Sequence, residues 1–343
     1  MEHRGVQIDM EIFPRLANKK TWSALRDAMV PVIDAAYGVY VKDKNGEWSF
    51  SKKLFAAYLE GRGIAWPRLE SGELNLRRKT FEAMAKARPE FEPLRQLRYA
   101  RDKMRRIKLS VGADGRNRTV LWPFASKTSR TQPKASEWIF SPAVWLRSLI
   151  KPGSGMAVAY IDYSSMEFLG GAALSGDPLM LQFYESDDPY LTFARRVGQA
   201  PQSATKSTHG PLRDRYKTGL PAIQYGAKAG TLATRLGISE FEAHELLAQR
   251  RELFRVYWRW SDDWLAQALD TGIMCTVYGW KCRTGETEFN ERSIRNWPIQ
   301  ANCAEILRVA LIMAHRRGIK LCAPVHDAVL IQAPMTRLRT TSS

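Results

Sequence analysis

Two short apolar runs that each lead to an aspartate constrain the fold of this chain more than any other feature of its sequence. Residues 156–161 have the apolar character of a buried strand, and Asp162 follows them directly. Near the C-terminus, residues 319–323 and 329–332 flank Asp327 and predict a β-hairpin that carries this residue, with the histidine before it, at its tip. A long stretch of mainly helical pattern separates the two aspartates. The sequence therefore predicts two strand-end carboxylates on either side of a large helical insertion.

The composition is that of a soluble globular protein. The chain has 343 residues, of which 45% are hydrophobic and 25% are charged, so it is long enough for two or three domains with a sizeable core. No run approaches the roughly 20 consecutive apolar residues that a membrane-spanning helix needs. The polar N-terminus also lacks the pattern of a secretory signal. We therefore expect a cytoplasmic protein with no membrane partner.

The charge balance favours a polyanionic partner. Lysine and arginine number 52 against 35 aspartates and glutamates, which gives a formal net charge of +17. Such a surface attracts nucleic acid, although a basic surface that only maintains solubility explains the charge alone equally well. Residues 94–108 add a basic amphipathic helix, with apolar residues at helical spacing and basic residues on the other faces. We expect one face of this helix to pack and the others to reach phosphate, unless the helix is simply solvated.

Carboxylates and cations in these segments form a pattern suited to phosphoryl chemistry. Two strand-end aspartates brought together can hold two magnesium ions, because magnesium takes oxygen ligands and uses few protein carboxylates. A metal pair of this kind supports in-line displacement at phosphorus. Arg213 and Lys217, at i and i+4 of a predicted helix, project two cations that suit a triphosphate. Taken singly, each residue has a more ordinary interpretation: Asp162 as a helix N-cap, Asp327 as a turn residue, and the two cations as a solvated pair.

The order of the motifs along the chain is more specific than any one of them. Three segments occur in sequence: Asp162-Tyr-Ser-Ser-Met-Glu167, Arg213-x3-Lys217-x7-Tyr225-Gly226 and Val325-His326-Asp327. They resemble, in this order, the three signature motifs of family A DNA polymerases, the group of bacterial DNA polymerase I. Three smaller segments also resemble parts of that family: Thr128-Ser-Arg130, Gly272-x3-Thr276-x2-Gly279 and Arg292-x3-Asn296-x3-Gln300. The resemblance extends over nearly the whole chain.

The resemblance implies an α+β fold with the right-hand architecture of polymerases, in which a helical thumb and helical fingers surround an antiparallel-sheet palm. The implied division is a thumb at 1–110, fingers at 200–285, and a palm in two parts at 111–199 and 286–343. Asp162 lies in the first part of the palm and Asp327 in the second. No segment resembles a proofreading exonuclease or a 5′ nuclease domain. We therefore expect a bare polymerase module of phage or mobile-element type that acts as a monomer.

By the same resemblance, Asp162 and Asp327 would be the catalytic carboxylates that ligate two magnesium ions, assisted by the backbone carbonyl of Tyr163. Arg213 and Lys217 would bind the incoming triphosphate, and Lys217 would also protonate the departing pyrophosphate. The implied reaction is the template-directed addition of dNTPs to a primer 3′ end with release of pyrophosphate. Roles in DNA replication and in DNA repair both remain open.

Further residues would contact the nucleotide and the DNA. Tyr225 would border the nascent base pair, Glu167 would crowd the 2′ position of the sugar, and His326 would help to position the primer end. Contacts to template, primer or the new base pair through the minor groove would come from Arg130, Arg292, Asn296 and Gln300. The implied partners are primer-template DNA and dNTPs.

Three departures from the family pattern leave alternatives open. Pro221 stands where the family has an aromatic residue, and together with Gly219 it disfavours a continuous helix. Ala328 replaces a glutamate, and the chain stops soon after Asp327, which suggests a truncated end. One alternative is therefore a catalytically degenerate DNA-binding remnant. The other is a single-subunit RNA polymerase, against which the bulky Glu167 argues.

Overall fold

The computed structural model describes residues 1, 3–106, 108–140, 144–284 and 290–337. The chain forms two compact units, each made from two stretches of sequence. We call Glu2–Val120 with Lys134–Gly155 the N-terminal unit, and Leu121–Pro133 with Met156–Ser343, to which Met1 is also assigned, the C-terminal unit. Both units contain helices and strands, in agreement with the predicted α+β class. No helix within the described ranges is both long enough and apolar enough to cross a bilayer.

The N-terminal unit packs helices around an aromatic core. Its elements are β1 (Val6–Gln7), α1 (Phe13–Ala17), α2 (Lys19–Asp34), β2 (Tyr40–Lys42), β3 (Trp48–Phe50), α3 (Lys52–Glu60), α4 (Arg78–Ala87), α5 (Glu92–Arg106) and β4 (Arg116–Asn117). Strand β1 pairs with β4 and β2 pairs with β3, both antiparallel. Phe55, Phe81 and Phe91 are buried at the centre of the core, where the Phe55 ring stacks on that of Phe81 and contacts that of Phe91 edge-to-face.

Helix α5 confirms the predicted amphipathic helix, but its basic faces are less available than expected. Leu94 and Leu97 are buried, as the spacing predicts. Arg98, however, lies with its guanidinium 4.1 Å from the centre of the Phe50 ring, and Arg101 is buried, with a hydrogen bond of 2.8 Å to Asp27. The expectation that these two cations face phosphate is therefore wrong, because aromatic rings and a carboxylate within the unit already bind them. Ile107, at the end of the pattern, lies outside the described residues.

The C-terminal unit joins a small sheet to a group of helices. Its elements are β5 (Leu121–Trp122), β6 (Gln132–Pro133), β7 (Met156–Asp162), α6 (Met166–Ser175), α7 (Pro178–Glu185), α8 (Pro189–Arg196), α9 (Gly210–Gln224), α10 (Ala229–Leu236), α11 (Glu240–Leu253), α12 (Arg255–Thr271), β8 (Ile273–Cys275), β9 (Lys281–Arg283), α13 (Glu291–Arg316), β10 (Lys320–Val325) and β11 (Ala328–Pro334). Asp177 and Asp188 cap α7 and α8, where the following proline suits the first helical position.

The three-stranded antiparallel sheet has the strand order β10, β11, β7. Strands β10 and β11 form the predicted hairpin, and His326 at its tip has a φ of 54°, a value that histidine adopts more readily than most residues. The prediction that β7 is buried is wrong, since Tyr160 and Ile161 are each about half exposed. An apolar run does not tell which strand becomes central: β11 takes that place and buries Leu330, whereas β7 lies at the edge.

Helix α9 runs without interruption through Gly219 and Pro221, so the expectation that these residues break the helix is wrong. The backbone N–H of Tyr225 donates to the Pro221 carbonyl oxygen at 3.1 Å, which continues the helical pattern past the proline. Leu220 and Ile223 are buried in the core beside them. Burial of Leu220 and Ile223 stabilises α9 and outweighs the low helix propensity of Gly219 and Pro221, because tertiary packing contributes more to helix stability than local propensity does.

Two adjacent glycines allow α6 to pack closely against its neighbours. A Cβ atom on Gly170 would lie 2.7 Å from Sγ of Cys303 in α13. A Cβ atom on Gly171 would lie 2.9 Å from Nε2 of Gln224, the last residue of α9. Both distances are too short for real contacts, so the absence of side chains here sets how closely α9 and α13 approach α6.

Candidate active site

The main chain brings Asp162 and Asp327 to neighbouring strand ends. Asp162 is the last residue of β7 and pairs with Ala328, the first residue of β11, so Asp327 lies next to it in the hairpin loop. The backbone N–H of Tyr163 donates to the Asp327 carbonyl oxygen at 3.3 Å. The prediction that both aspartates lie at strand ends is confirmed, and the sheet register places them side by side.

Arg130 and Glu167 complete a cluster of charges beside this pair. Arg130 Nη2 donates to Glu167 Oε1 and lies 3.5 Å from Asp327 Oδ1. The second carboxylate oxygen of Glu167 accepts a hydrogen bond from the Tyr225 hydroxyl, which also hydrogen-bonds Gln300. Five of the predicted site residues therefore form a single connected network: Arg130, Glu167, Tyr225, Gln300 and Asp327.

The electrostatics of the cluster disfavour an isolated negative charge on Asp327. Burial raises the pKa of its carboxyl group, the Arg130 guanidinium lowers it, and the neighbouring carboxylates of Glu167 and Asp162 raise it again, so that the net shift is upward. Burial also raises the pKa of the Tyr225 phenol, and Glu167 raises it further. Tyr225 is therefore a neutral hydrogen-bond donor to Glu167 at neutral pH.

The loop that carries Arg130 is fastened to α13 from two points. The guanidinium of Arg308 donates to the carbonyl oxygen of Ser129 at 2.6 Å and to its hydroxyl at 2.9 Å. Nε1 of Trp297 donates to the Lys127 carbonyl oxygen at 2.7 Å. Ser129 is fully buried with a φ of 59°, so these bonds hold a strained turn. Sequence reasoning missed Arg308, since nothing in the local pattern signals a contact between residues so distant in the chain.

Arg213 and Lys217 both lie in α9, one helical turn apart as predicted, but their surroundings differ. Lys217 is exposed. Arg213 is largely buried, donates to the carboxylate of Asp188, and lies 5.7 Å from the centre of the Tyr190 ring. Sequence reasoning missed Asp188, although the Asp-Pro pair at 188–189 signals a helix start and thus a carboxylate at a fixed place. The Arg213 guanidinium, which the sequence predicts to bind a triphosphate, therefore pairs here with a carboxylate of the same chain.

The remaining predicted residues lie on α13 and at the hairpin tip. Arg292 and His326 are exposed, while Asn296 and Gln300 are partly buried. The side-chain oxygen of Asn296 is buried without a hydrogen-bond partner among the described residues. A buried oxygen of this kind costs free energy until a donor reaches it.

Comparison with a solved structure and with a protein family identifies the fold and the family of this chain. A solved structure of the POL domain of Pol1 from M. smegmatis in complex with DNA primer-template and dNTP superimposes with a TM-score of 0.76 over 97% of this chain and 62% of that one, at 24% identity. The fold is therefore that of a polymerase domain. The family model described as DNA polymerase family A matches residues 141–343, more than half of the chain. The chain belongs to DNA polymerase family A, and the resemblance drawn from its motifs is confirmed.

Two sequence relatives of this chain are named DNA polymerase I. DNA polymerase I of Mycobacterium tuberculosis is 25% identical over 369 residues, which cover 99% of this chain and 39% of that protein. The thermostable DNA polymerase I of Thermus thermophilus is 25% identical over 197 residues, 54% of this chain and 23% of that protein. The chain thus spans well under half the length of these relatives.

Proposed function

We propose that this chain is a template-directed DNA polymerase that adds dNTPs to a primer 3′ end. The observation that carries the proposal is the register of β7 and β11, which sets Asp162 and Asp327 side by side next to Arg130, Glu167 and Tyr225. Family membership and the solved relative that holds primer-template and dNTP support the same reaction.

The donor set fits magnesium. Two carboxylates and the backbone carbonyl of Tyr163 offer hard oxygen ligands, and magnesium is usually held by one or two carboxylates plus substrate phosphates rather than by an all-protein cage. No group of three or more His, Cys, Asp or Glu side chains capable of holding a metal occurs within the described ranges. A cation would also offset the burial and the repulsion from neighbouring carboxylates that together raise the pKa of Asp327. When bound, two magnesium ions would neutralise charge on the attacking and leaving oxygens.

The incoming triphosphate would bind along the N-terminal half of α9. Lys217 is exposed and available, whereas Arg213 must exchange the Asp188 carboxylate for phosphate oxygens. Lys217 would also donate a proton to the departing pyrophosphate, which makes a better leaving group when its charge is reduced. Competition between Asp188 and the triphosphate for Arg213 would make nucleotide binding selective for a strongly anionic ligand.

Glu167 would lie against the sugar of the nucleotide and Tyr225 against the new base pair. The hydrogen bond from Tyr225 and the ion pair with Arg130 fix the Glu167 carboxylate, so that it excludes a 2′-hydroxyl by occupying its space. His326, at the exposed hairpin tip, would position the primer end. The remaining DNA contacts would come from Arg292, Asn296 and Gln300 on α13.

The right-hand division into thumb, palm and fingers is part of the same proposal. The sheet of β7, β10 and β11 would be the palm, and the helices between β7 and α13 would include the fingers.

Primer extension with magnesium and all four dNTPs tests the proposal. Wild type should extend a primed template, and Asp162→Asn should not, while Asp270→Asn, at an exposed position on α12, serves as the matched control. Extension with rNTPs but not dNTPs would establish the RNA polymerase alternative. DNA binding with no extension under any nucleotide mixture would establish a degenerate remnant.

A further inference from the structure

Arg250 is a fully buried cation with too few partners. It lies in α11, has no exposed surface, and donates from Nη2 to Oε1 of Gln224 at 3.0 Å. Its Nε and Nη1 have no hydrogen-bond partner among the described residues. The rings of Phe254 and Tyr257 lie 5.5 Å from its Cζ atom. Burial lowers the pKa of Arg250 to about 10, so the group stays charged at neutral pH. A plain core position would favour an apolar residue here.

Gln224 links this cation to the candidate active site. Its Oε1 accepts from Arg250, and its Nε2 donates to the backbone carbonyl oxygen of Glu167 at 2.9 Å. The orientation of the amide is fixed chemically, because a guanidinium can only donate and a carbonyl can only accept. Gln224 also directly precedes Tyr225, whose hydroxyl holds the Glu167 side chain. One side chain thus connects α11 to the backbone of Glu167.

Gly171 and Tyr257 constrain the position of Gln224. A Cβ atom on Gly171 would come within 2.9 Å of Nε2, so the glycine makes the space through which the amide reaches α6. The hydroxyl of Tyr257 donates to the Gln224 carbonyl oxygen at 3.2 Å, and the Tyr257 N–H donates to buried Asp177 at 3.0 Å. The Tyr257 hydroxyl thus holds the main chain of Gln224, and the bonds to Arg250 and to the Glu167 carbonyl hold its side chain.

From this geometry we infer that Gln224, held by Arg250, is a positioning residue that sets the first turn of α6 and thereby the place of the Glu167 carboxylate against the nucleotide sugar. The inference rests on the proposed function, since Glu167 selects the sugar only in a polymerase. The buried guanidinium orients the amide, and the amide in turn donates to the Glu167 carbonyl. Neither residue touches the nucleotide itself.

Gln224→Glu isolates the bond that carries this inference. The carboxylate still accepts from Arg250, now with charge assistance, but it cannot donate to the Glu167 carbonyl oxygen and repels it. The readout is the ratio of dissociation constants for an rNTP and the matching dNTP, measured on the chain bound to primer-template with a dideoxy-terminated primer. We expect this ratio to fall by about tenfold in the variant. Gln267→Glu, the same change at an exposed position of α12, should leave the ratio unchanged.

A double-variant comparison separates positioning from general loosening of the core. In a Glu167→Ala background, Gln224→Glu should have no further effect on the ratio, because the side chain that it positions is absent. If Gln224→Glu does not fold, Gln224→Leu with Arg250→Met replaces the pair by apolar residues of similar size, an exchange that cores tolerate, and should lower the ratio to the same extent. Folding of each variant is checked by its thermal midpoint.

The outcomes distinguish this inference from the proposed function. A folded Gln224→Glu or double variant with the wild-type ratio overturns the positioning role and leaves the polymerase proposal intact. If Gln224→Glu changes the ratio of dissociation constants equally in the wild-type and Glu167→Ala backgrounds, the positioning role is overturned as well. A wild-type chain that binds neither nucleotide in the presence of primer-template overturns both proposals.

Discussion

The backbone N–H of Tyr163 donates to the carbonyl oxygen of Asp327 across 3.3 Å. Strand pairing therefore sets the separation of Asp162 and Asp327, and their side chains are not needed to hold the two strand ends together. The carboxylates can repel each other without changing the backbone. This relationship allows either aspartate to be replaced as a test of chemistry rather than of folding.

Asp327→Asn should abolish extension and stabilise the fold. Loss of the metal-binding charge should lower the extension rate by about a thousandfold or more. The folded-state pKa of Asp327 is raised, so its ionisation opposes folding above the unfolded-state pKa, most fully once the pH exceeds the folded-state value. The Asn variant should thus melt higher than wild type at pH 7, with the difference vanishing below about pH 4. A lower melting midpoint at pH 7 would contradict this account.

Glu167→Ala should raise ribonucleotide incorporation, because the carboxylate no longer occupies the space of a 2′-hydroxyl. A steric clash of this kind is worth about 1–3 kcal/mol, which corresponds to a change of about fivefold to 150-fold in the dNTP to rNTP incorporation ratio. Glu167→Gln is the matched control, since it keeps the size of the side chain and should keep most of the preference, although its single acceptor oxygen cannot accept from both Arg130 and Tyr225. An unchanged ratio in the alanine variant removes Glu167 from sugar selection.

Asp188→Asn should lower the KM for dNTPs. An asparagine still caps α8 through its side-chain oxygen but binds the Arg213 guanidinium less strongly, which leaves Arg213 free for the triphosphate. Arg213→Ala should act in the opposite direction and raise KM by about tenfold or more. Arg215→Ala, on an exposed position of the same helix, provides the control. Steady-state kinetics with equal KM values for all four proteins would refute the assignment of Arg213.

Binding to primer-template should be insensitive to base sequence and should weaken steeply with salt. Neutralisation of phosphates by basic residues releases counterions, so the logarithm of affinity falls linearly with the logarithm of salt concentration. Removal of exposed Arg292 as Arg292→Ala should reduce the slope by about 1. Fluorescence anisotropy of labelled primer-template over a range of salt concentrations measures this slope for both proteins. Affinity that does not depend on salt would mean that the charge of +17 serves solubility alone.

Gly170→Ala should destabilise the C-terminal unit by about 1–3 kcal/mol, because the added methyl group meets Sγ of buried Cys303 at 2.7 Å. Gly230→Ala offers a matched control in α10. Its added Cβ would lie 3.4 Å from the flexible end of Glu240, and alanine favours the helix. The free energy of unfolding in urea should fall for the first variant and stay level or rise for the second. Equal effects would show that α6 can move away from α13.

The sequence predicted local elements and their order better than it predicted their surroundings. The hairpin around Asp327 followed from alternation and turn chemistry, which are local signals. The continuity of α9 through Pro221 depends on burial of its flank, and the exposure of β7 depends on which strand becomes central. Arg250 lies in a run rich in Glu and Arg that has the pattern of a solvated surface. Its burial depends on α9 and α12 packing over it, and no local pattern encodes this.

The buried pair of Arg250 and Gln224 also limits the order in which these two residues can be substituted during evolution. If Gln224 is lost first, the buried guanidinium of Arg250 loses its one hydrogen-bond partner among the described residues. An unsatisfied charged group costs more than the roughly 1–3 kcal/mol of a neutral one, out of the roughly 5–15 kcal/mol of a typical domain. If Arg250 is lost first, only a neutral amide oxygen lacks its partner, at about 1–3 kcal/mol. A lineage can therefore reach an apolar pair more readily by changing the arginine before the glutamine, since the reverse order passes through the less stable intermediate.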